Sequence, residues 1–384
     1  MAIGEARRHP SHLLGAAGAV RVPFLDLRVQ DATQRGELVE AIETVLDHGR
    51  IVLGPEVEEF EDRVRNFCQR RYAIGVGSGT DALILGLKAA RIGPGDEVIT
   101  TPLSWLATAG AILLIGATPV FCDIDETLNM DPATLEPLIN ARTKAILPVH
   151  FTGRLAQMDK ILQLAKHRGL LVLEDGAQAF GATWRNKTCG SFGDLACLSF
   201  NAMKILGALG DAGMVLCDDV KTAERLVMLR HSGVSQREYC LELSHNCRLD
   251  TLQAAVLMTR FARFPDIIAR RREIADYYSR ELKGVVETPV TLPHYRDAFY
   301  TYTVRTPRRD QLRDYLAARG IETRIQHSVL MYDQPAFQGK VRGKSPVAER
   351  LVKQILCIPV HEKLSFEDQN FVVDAIRSFF GGEA

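Results

Sequence analysis

Two residues of this chain carry its most telling chemistry: an acid, Asp175, and a lysine, Lys204, 29 positions further on. Asp175 closes the run Leu170-Leu171-Val172-Leu173-Glu174-Asp175. A short apolar run bounded by turn signals reads as a buried strand. An acid at its carboxyl end would stand on the edge where open α/β sheets bind ligands. Lys204 follows Leu198-Ser199-Phe200-Asn201-Ala202-Met203 and precedes the spaced glycines Gly207, Gly210 and Gly213. A lysine in apolar company sheds its proton more easily and attacks carbonyls as the free amine. Such a lysine and an acid are what pyridoxal phosphate needs: a Schiff-base nitrogen, and a carboxylate that keeps the pyridine nitrogen protonated.

A third motif, Gly77-Ser78-Gly79-Thr80-Asp81, sits after the apolar run Tyr72-Ala73-Ile74-Gly75-Val76 and before a helical pattern. Glycines let backbone N–H groups approach a phosphate closely, and the helix presents its positive end to a dianion. Many strand-to-helix turns carry two glycines, so this motif gains its meaning from the other two. Trp105, one of two tryptophans, fits either a ring stacked on a cofactor or plain core filling.

The elements that must position these groups follow the pattern of an α/β domain. Short apolar strands are expected at Tyr72–Val76, Glu97–Thr100, Thr118–Cys122, Ala145–Val149 and Leu170–Asp175, with helical stretches between them. That alternation implies a parallel sheet. Helices are expected from about Gln34 to His48 and after Gly54-Pro55, where Pro55 suits a first turn. From Asp250 the character changes. Leu252 to Leu282 has no glycine and one proline, Pro265, so it reads as long helical material with one break. A strand near Tyr300–Val304, a helix from Gln311 to Arg319 capped by Gly320, a strand at Ile355–Val360 and a last helix from Phe366 to Phe379 complete a smaller α+β unit. The expected division is an arm over residues 1–21, a large α/β domain over 22–250 and a small C-terminal domain over 251–384.

Composition narrows the field. The chain has 384 residues, enough for two domains, and apolar and charged fractions close to globular averages. Its formal net charge is zero, so no basic surface for nucleic acid is advertised. Its eight cysteines show no C-x-x-C and no histidine-flanked ligand spacing. Free buried thiols are therefore expected, with no metal site. Leu103 to Phe121 is apolar but broken by Ser104, Thr108, Gly110, Gly116, Thr118 and Pro119, so a buried helix leading into a strand is expected, not a membrane span. The apolar stretch Leu13 to Val20 is short for a secretion signal, and a flexible arm of a cytoplasmic protein is expected there.

The segments Glu174-Asp175-Gly176-Ala177-Gln178-Ala179-Phe180-Gly181-Ala182 and Ser199-Phe200…Lys204…Gly207-Ala208-Leu209-Gly210-Asp211-Ala212-Gly213 resemble the DegT/DnrJ/EryC1/StrS aminotransferases. The resemblance runs from about Val22 to Phe380. It implies a fold-type I pyridoxal 5'-phosphate enzyme with a mainly parallel, seven-stranded type of sheet between helices. It implies ping-pong transfer of an amino group from an amino acid, glutamate, to a keto-sugar, nucleotide-linked. The product would be an amino sugar for a surface polysaccharide or a secondary metabolite.

By the same resemblance Lys204 is the Schiff-base lysine and proton carrier, Asp175 partners the pyridine nitrogen, and Gln178 faces the phenolic oxygen. Gly79, Thr80 and Ser199 hold the phosphate, and Trp105 stacks on the ring. Asn246 reaches the phosphate from a partner subunit, which implies a homodimer. Arg248, Arg324 and His327 fall in segments that match relatives around the active site and its substrate loops, while Arg154, which follows the strand ending at Val149, fits either a contact to a phosphate or carboxylate or a surface arginine. Two departures stand out: Phe180 replaces a histidine common in relatives, and the loop after Arg324 lacks their tyrosine–proline–histidine wording. Neighbouring readings are amination of a cyclitol or another keto-sugar, dehydration, for which relatives carry histidine in place of the lysine, and a non-catalytic regulator, for which Lys204, Asp175 or Gln178 would be lost.

Overall fold

The computed structural model describes residues 20–235 and 239–381. The expected N-terminal arm lies almost wholly outside the described residues. The described residues form twelve strands and eleven α-helices. Five strands come first: β1 (Tyr72–Val76), β2 (Glu97–Thr100), β3 (Thr118–Phe121), β4 (Thr143–Leu147) and β5 (Leu171–Asp175). The two-residue strands β6 (Thr183–Trp184) and β7 (Lys187–Thr188) precede β8 (Leu195–Ser199) and β9 (Gly213–Cys217). Then come β10 (Tyr295–Arg296), β11 (Tyr302–Arg305) and β12 (Ile355–Ile358).

Seven of these strands form the main sheet in the order β1-β9-β8-β5-β4-β2-β3. From β8 to β3 all neighbours are parallel, while β9 runs antiparallel to both β8 and β1. The expected mainly parallel sheet is what forms. The antiparallel β9 returns through the Lys204 loop, residues 200–212, which contains no helix to carry a parallel crossover.

Both faces of the sheet are buried, which is why its strands read as apolar runs without alternation. Alternate residues go to opposite cores. Ile74, Val76, Leu173, Cys197 and Val215 pack on one face, in a core shared with α3 (Gly79–Ala89) and α4 (Ala107–Leu114). Ala73, Leu198 and Met214 enter a second core, and Ile99, Ile146 and Val172 a third with α5 (Met158–Arg168). Helices α1 (Ala32–His48) and α2 (Pro55–Phe67) lie against α7 (Thr251–Ala262), and α6 (Val220–Arg230) lies against β1 and α3.

The break expected at Pro265 falls between α7 and α8 (Phe264–Glu281), with the proline in the first turn of α8. A fourth core joins α8 to β11, β12, α9 (Arg309–Ala317) and α11 (Phe366–Gly381), while α10 (Pro346–Leu351) returns to the first core. Phe180, where relatives carry histidine, is buried in an aromatic cluster with Phe67, Phe200, Phe261 and Phe264, centroids 5.0–6.4 Å apart. Its role in this chain is packing. All eight cysteines are free, seven of them buried. No helix among the described residues is long and apolar enough to cross a membrane.

Candidate active site

Asp175 and Ser199 end the parallel neighbours β5 and β8 and share the sheet face that carries α3 and α4. Asp175 is 4% exposed. Its Oδ2 accepts from the Thr108 hydroxyl at 2.8 Å, and its Oδ1 accepts from the Ala177 N–H at 3.2 Å. Burial pushes this carboxyl above the usual carboxylate range, opposed by Thr108, Ala177 and the positive charge of Lys204. A buried carboxylate held by two neutral donors lacks a full counter-charge within hydrogen-bond reach. A protonated pyridine nitrogen supplies that charge.

Ser78 caps α3, accepting from the Asp81 N–H at 3.1 Å and donating to the Asp81 carboxylate at 2.8 Å. The caps leave the Gly79 and Thr80 N–H groups without an intrahelical acceptor, as a first turn must. The helix end is pressed onto β8: a Cβ built on Gly79 would stand 2.6 Å from Ser199 Cβ and 2.9 Å from its Oγ. Two N–H groups and a hydroxyl thus converge at one point, which suits a phosphate dianion. Gly213 has a similar reason to be glycine, since a Cβ there would meet the Ser78 carbonyl oxygen at 2.2 Å.

The Lys204 loop is a closed turn between β8 and β9. Phe200 N–H reaches the Ala212 carbonyl, Ala202 N–H the Gly210 carbonyl and Lys204 N–H the Asn201 carbonyl, each at 2.8 Å. Phe200, Ile205 and Leu206 are buried as expected of apolar neighbours, but Met203 is 43% exposed and faces a cleft. The Lys204 ammonium nitrogen lies 4.7 Å from the Tyr300 ring centre. His327 is close enough for that charge to act on it, and burial first, then Lys204, pushes its imidazole down to about 4. Trp105 is 61% exposed, so it is not core filling. Its ring stands 5.9 Å from His327, which also contacts Phe151 at 5.8 Å.

Gln178 is buried, and its Oε1 accepts from the Thr152 N–H at 3.0 Å. The amide nitrogen is therefore turned the other way. Acid, lysine, amide, aromatic rings and phosphate cradle lie toward the carboxyl edge of the sheet, and their donors and acceptors fit pyridoxal phosphate.

The remaining candidates divide. Arg324 lines a cleft of about 380 Å³ with Met203, Arg271, Tyr300 and His361. Its guanidinium lies over the Phe24 ring at 4.9 Å, and no carboxylate pairs with it among the described residues. Arg154 is not a surface arginine offering itself to a ligand; it is buried and paired with Asp297 at 2.6 Å. Arg248 lies 2.7 Å from the His231 ring nitrogen. Asn246 is exposed, and its neighbours His245 and Cys247 bond to Asp81 and Gly77 of the phosphate loop. Sequence reasoning missed Thr108 and Tyr300. Thr108 was visible only as a polar break in an apolar helix, and Tyr300 arrives from another unit with no local signal.

Comparison with known proteins adds to this geometry. Residues 32–377 match the model of the DegT/DnrJ/EryC1/StrS aminotransferase family. The chain is 41% identical over 364 residues to a dTDP-3-amino-3,4,6-trideoxy-alpha-D-glucose transaminase of Streptomyces venezuelae, covering 94% of this chain and 96% of that one. It is 39% identical over 368 residues to a pleiotropic regulatory protein of Geobacillus stearothermophilus, covering 94% and 99%. The crystal structure of NtdA from Bacillus subtilis with its bound cofactor PMP superposes with a TM-score of 0.88 at 29% identity, covering 95% and 86%.

Proposed function

The chain belongs to the DegT/DnrJ/EryC1/StrS aminotransferase family, and from that premise we propose that it aminates the keto group of a nucleotide-linked sugar, with glutamate as donor. It is a pyridoxal-phosphate-dependent aminotransferase. Within the proposal it works in the cytoplasm, as a homodimer with a large unit over 22–250 and a small one over 251–384. The observation that carries the reading is the buried Asp175 facing the same sheet edge as Lys204, in a chain 41% identical to a dTDP-sugar transaminase.

When bound, the cofactor supplies an electron sink that makes the carbon bearing the donor's amino group acidic. Asp175 keeps the pyridine nitrogen positive, at a depth where a lone carboxylate is costly. The Gly79 and Thr80 N–H groups and the Ser199 hydroxyl hold the phosphate. Trp105 covers one face of the ring. Lys204 Nζ would take the proton from the donor's amino-bearing carbon and later give it up, as general base and then acid. Arg324 offers its guanidinium group to the donor's carboxylate, while the buried Arg271 beside it is paired with Glu362 at 3.2 Å.

The hairpin before Asn246 exposes Tyr239 (69%), Leu241 (68%) and Leu243 (84%). Such apolar exposure suits burial against a second copy, which would bring Asn246 to the partner's site. Lys204 speaks against dehydration, and the intact Asp175, Gln178 and Lys204 speak against a purely regulatory role.

The test is the absorption spectrum of the purified protein with pyridoxal phosphate, alongside Lys204→Ala. A band near about 410–430 nm that the variant loses and glutamate bleaches supports the reading. Amination of dTDP- or UDP-linked 3-keto sugars then identifies the acceptor. No band, or one indifferent to Lys204, refutes it.

A further inference from the structure

We propose that the buried Glu174–His150 pair is a positioning device that acts through Thr152 to fix the Gln178 amide toward the cofactor's phenolic oxygen. The proposal rests on the cofactor reading above. Glu174 precedes Asp175 on β5, so its side chain points to the opposite face of the sheet. It is fully buried, as is His150. Glu174 Oε1 accepts from the Phe192 N–H at 2.7 Å and the Gly193 N–H at 2.8 Å. Its Oε2 accepts from the Gly190 N–H and from His150 Nε2, both at 2.9 Å. Burial pushes this carboxyl up, but His150 and the backbone donors outweigh it, and the group is held below the usual range.

His150 has both ring nitrogens committed. Nδ1 accepts from the Ala156 N–H at 3.1 Å, so Nε2 carries the proton and donates it to Glu174. No lone pair is left for a metal, although the Cys189 sulfur lies within 4.8 Å of this pair. The ring thus ties Ala156 to Glu174, while the His150 N–H is tied to the Asp175 carbonyl at 3.0 Å. Between these two anchors the chain makes a tight bend. Thr152 sits there at φ 60°, ψ 0°, a left-handed conformation that a β-branched residue adopts only when held.

That conformation is what aims the Thr152 N–H at Gln178 Oε1, 3.0 Å away. An N–H donates only to an oxygen opposite it, so the Gln178 NH2 is turned outward, available as a donor. Phe151 N–H to Asn129 Oδ1 at 3.0 Å and Thr301 N–H to the Thr152 carbonyl at 3.2 Å also hold this bend, so losing the His150 ties loosens Thr152, and with it the Gln178 amide, in part. A neighbour that merely filled space would have no reason to hold this strained residue.

The readout is the protonation midpoint of the Lys204-linked cofactor, followed by absorbance against pH. A donor on the phenolic oxygen stabilises its anionic form, which then holds the shared proton less well, so the donor lowers the midpoint. Gln178→Leu is expected to raise it by about one to two pH units, the worth of one hydrogen bond to a charged group. His150→Leu is expected to raise it by at least about 0.5 unit, as part of that same bond. In the Gln178→Leu background it should add nothing, because both act on one bond.

Thr152→Gly, which reaches φ 60° without strain and keeps the backbone N–H that Gln178 accepts, should leave the midpoint in place. In the cofactor-free protein, hydrogen exchange of the 150–156 segment should speed up in His150→Leu. A folded His150→Leu protein with an unmoved midpoint refutes the proposal, as does an additive double variant or a Thr152→Gly protein whose midpoint rises as in Gln178→Leu. So does a Gln178→Leu protein with no shift, because the last link is then missing. If no Lys204-dependent band forms at all, the cofactor reading fails and this proposal fails with it. A band whose midpoint ignores His150 refutes this proposal alone.

Discussion

Gly79→Ala isolates the phosphate cradle. The new Cβ would lie 2.6 Å from Ser199 Cβ and 3.3 Å from its Cα. Ordinary carbon contacts are near 3.5–4.0 Å, so the first turn of α3 must withdraw by close to an ångström. Neither partner can yield by a side-chain rotation, because Ser199 Cβ is fixed to β8. Overpacking of this kind costs about 1–3 kcal/mol. The free protein can lower that cost by moving the helix end, but the movement displaces the Gly79 and Thr80 N–H groups. Pyridoxal phosphate affinity should then fall by roughly 5- to 150-fold, the same range converted at 1.4 kcal/mol per decade.

The assay is a titration of cofactor binding by absorbance and Trp105 fluorescence, beside denaturant unfolding of the cofactor-free protein. Ser199→Gly loses a hydroxyl donor but also the Cβ that Gly79→Ala strikes. The double variant should therefore bind more tightly than the sum of the single losses predicts. Unchanged affinity and stability in Gly79→Ala would refute the close seating of α3 on β8. Strict additivity in the double variant would refute the clash as the cause.

Asp175→Asn should slow amino transfer by at least about 100-fold, the usual scale for losing one electrostatic partner in a closed site. Because burial raises the Asp175 carboxyl, the folded cofactor-free protein binds more protons than the unfolded chain between the ordinary and the raised value. Its stability therefore falls as pH rises through that window, and Asp175→Asn should remove this slope in unfolding curves. His327, pushed down to about 4, behaves oppositely: stability rises with pH from about 4 to 6.5, and His327→Gln should flatten that segment. Arg154→Met leaves Asp297 buried without its partner, with side chains only 7% and 9% exposed. It should cost about 3–5 kcal/mol of stability, less at low pH where the raised Asp297 carboxyl takes a proton. Cofactor affinity measured below the unfolding range should not change.

Much of the fold was legible because both faces of the main sheet are buried. β1 and β2 form over the expected residues, and β3, β4 and β5 within one or two, since apolar runs between glycines and prolines leave little choice of boundary. The direction of β9 was not legible. It depends on the length and internal hydrogen bonds of the Lys204 loop, which glycine spacing hints at without fixing. Arg154 shows the limit for charged residues: the sequence displays a guanidinium after a strand, whereas its partner Asp297 lies 143 positions away. Thr108 and Tyr300 were missed for the same reason, as their contacts to Asp175 and Lys204 come from other elements.

The sequence by itself determined the strands, the carboxyl-edge position of Asp175 and the glycine-rich turns, because these depend on local pattern and backbone freedom. It also determined the family, through residues whose types and spacing few other chemistries need together. The tertiary structure alone decided which polar groups meet. It spent Arg154 on Asp297, left Arg324 without a carboxylate partner, and turned the Gln178 amide through Thr152. Hydrogen bonds and ion pairs act over a few ångströms, and only packing brings residues far apart in the chain within that reach.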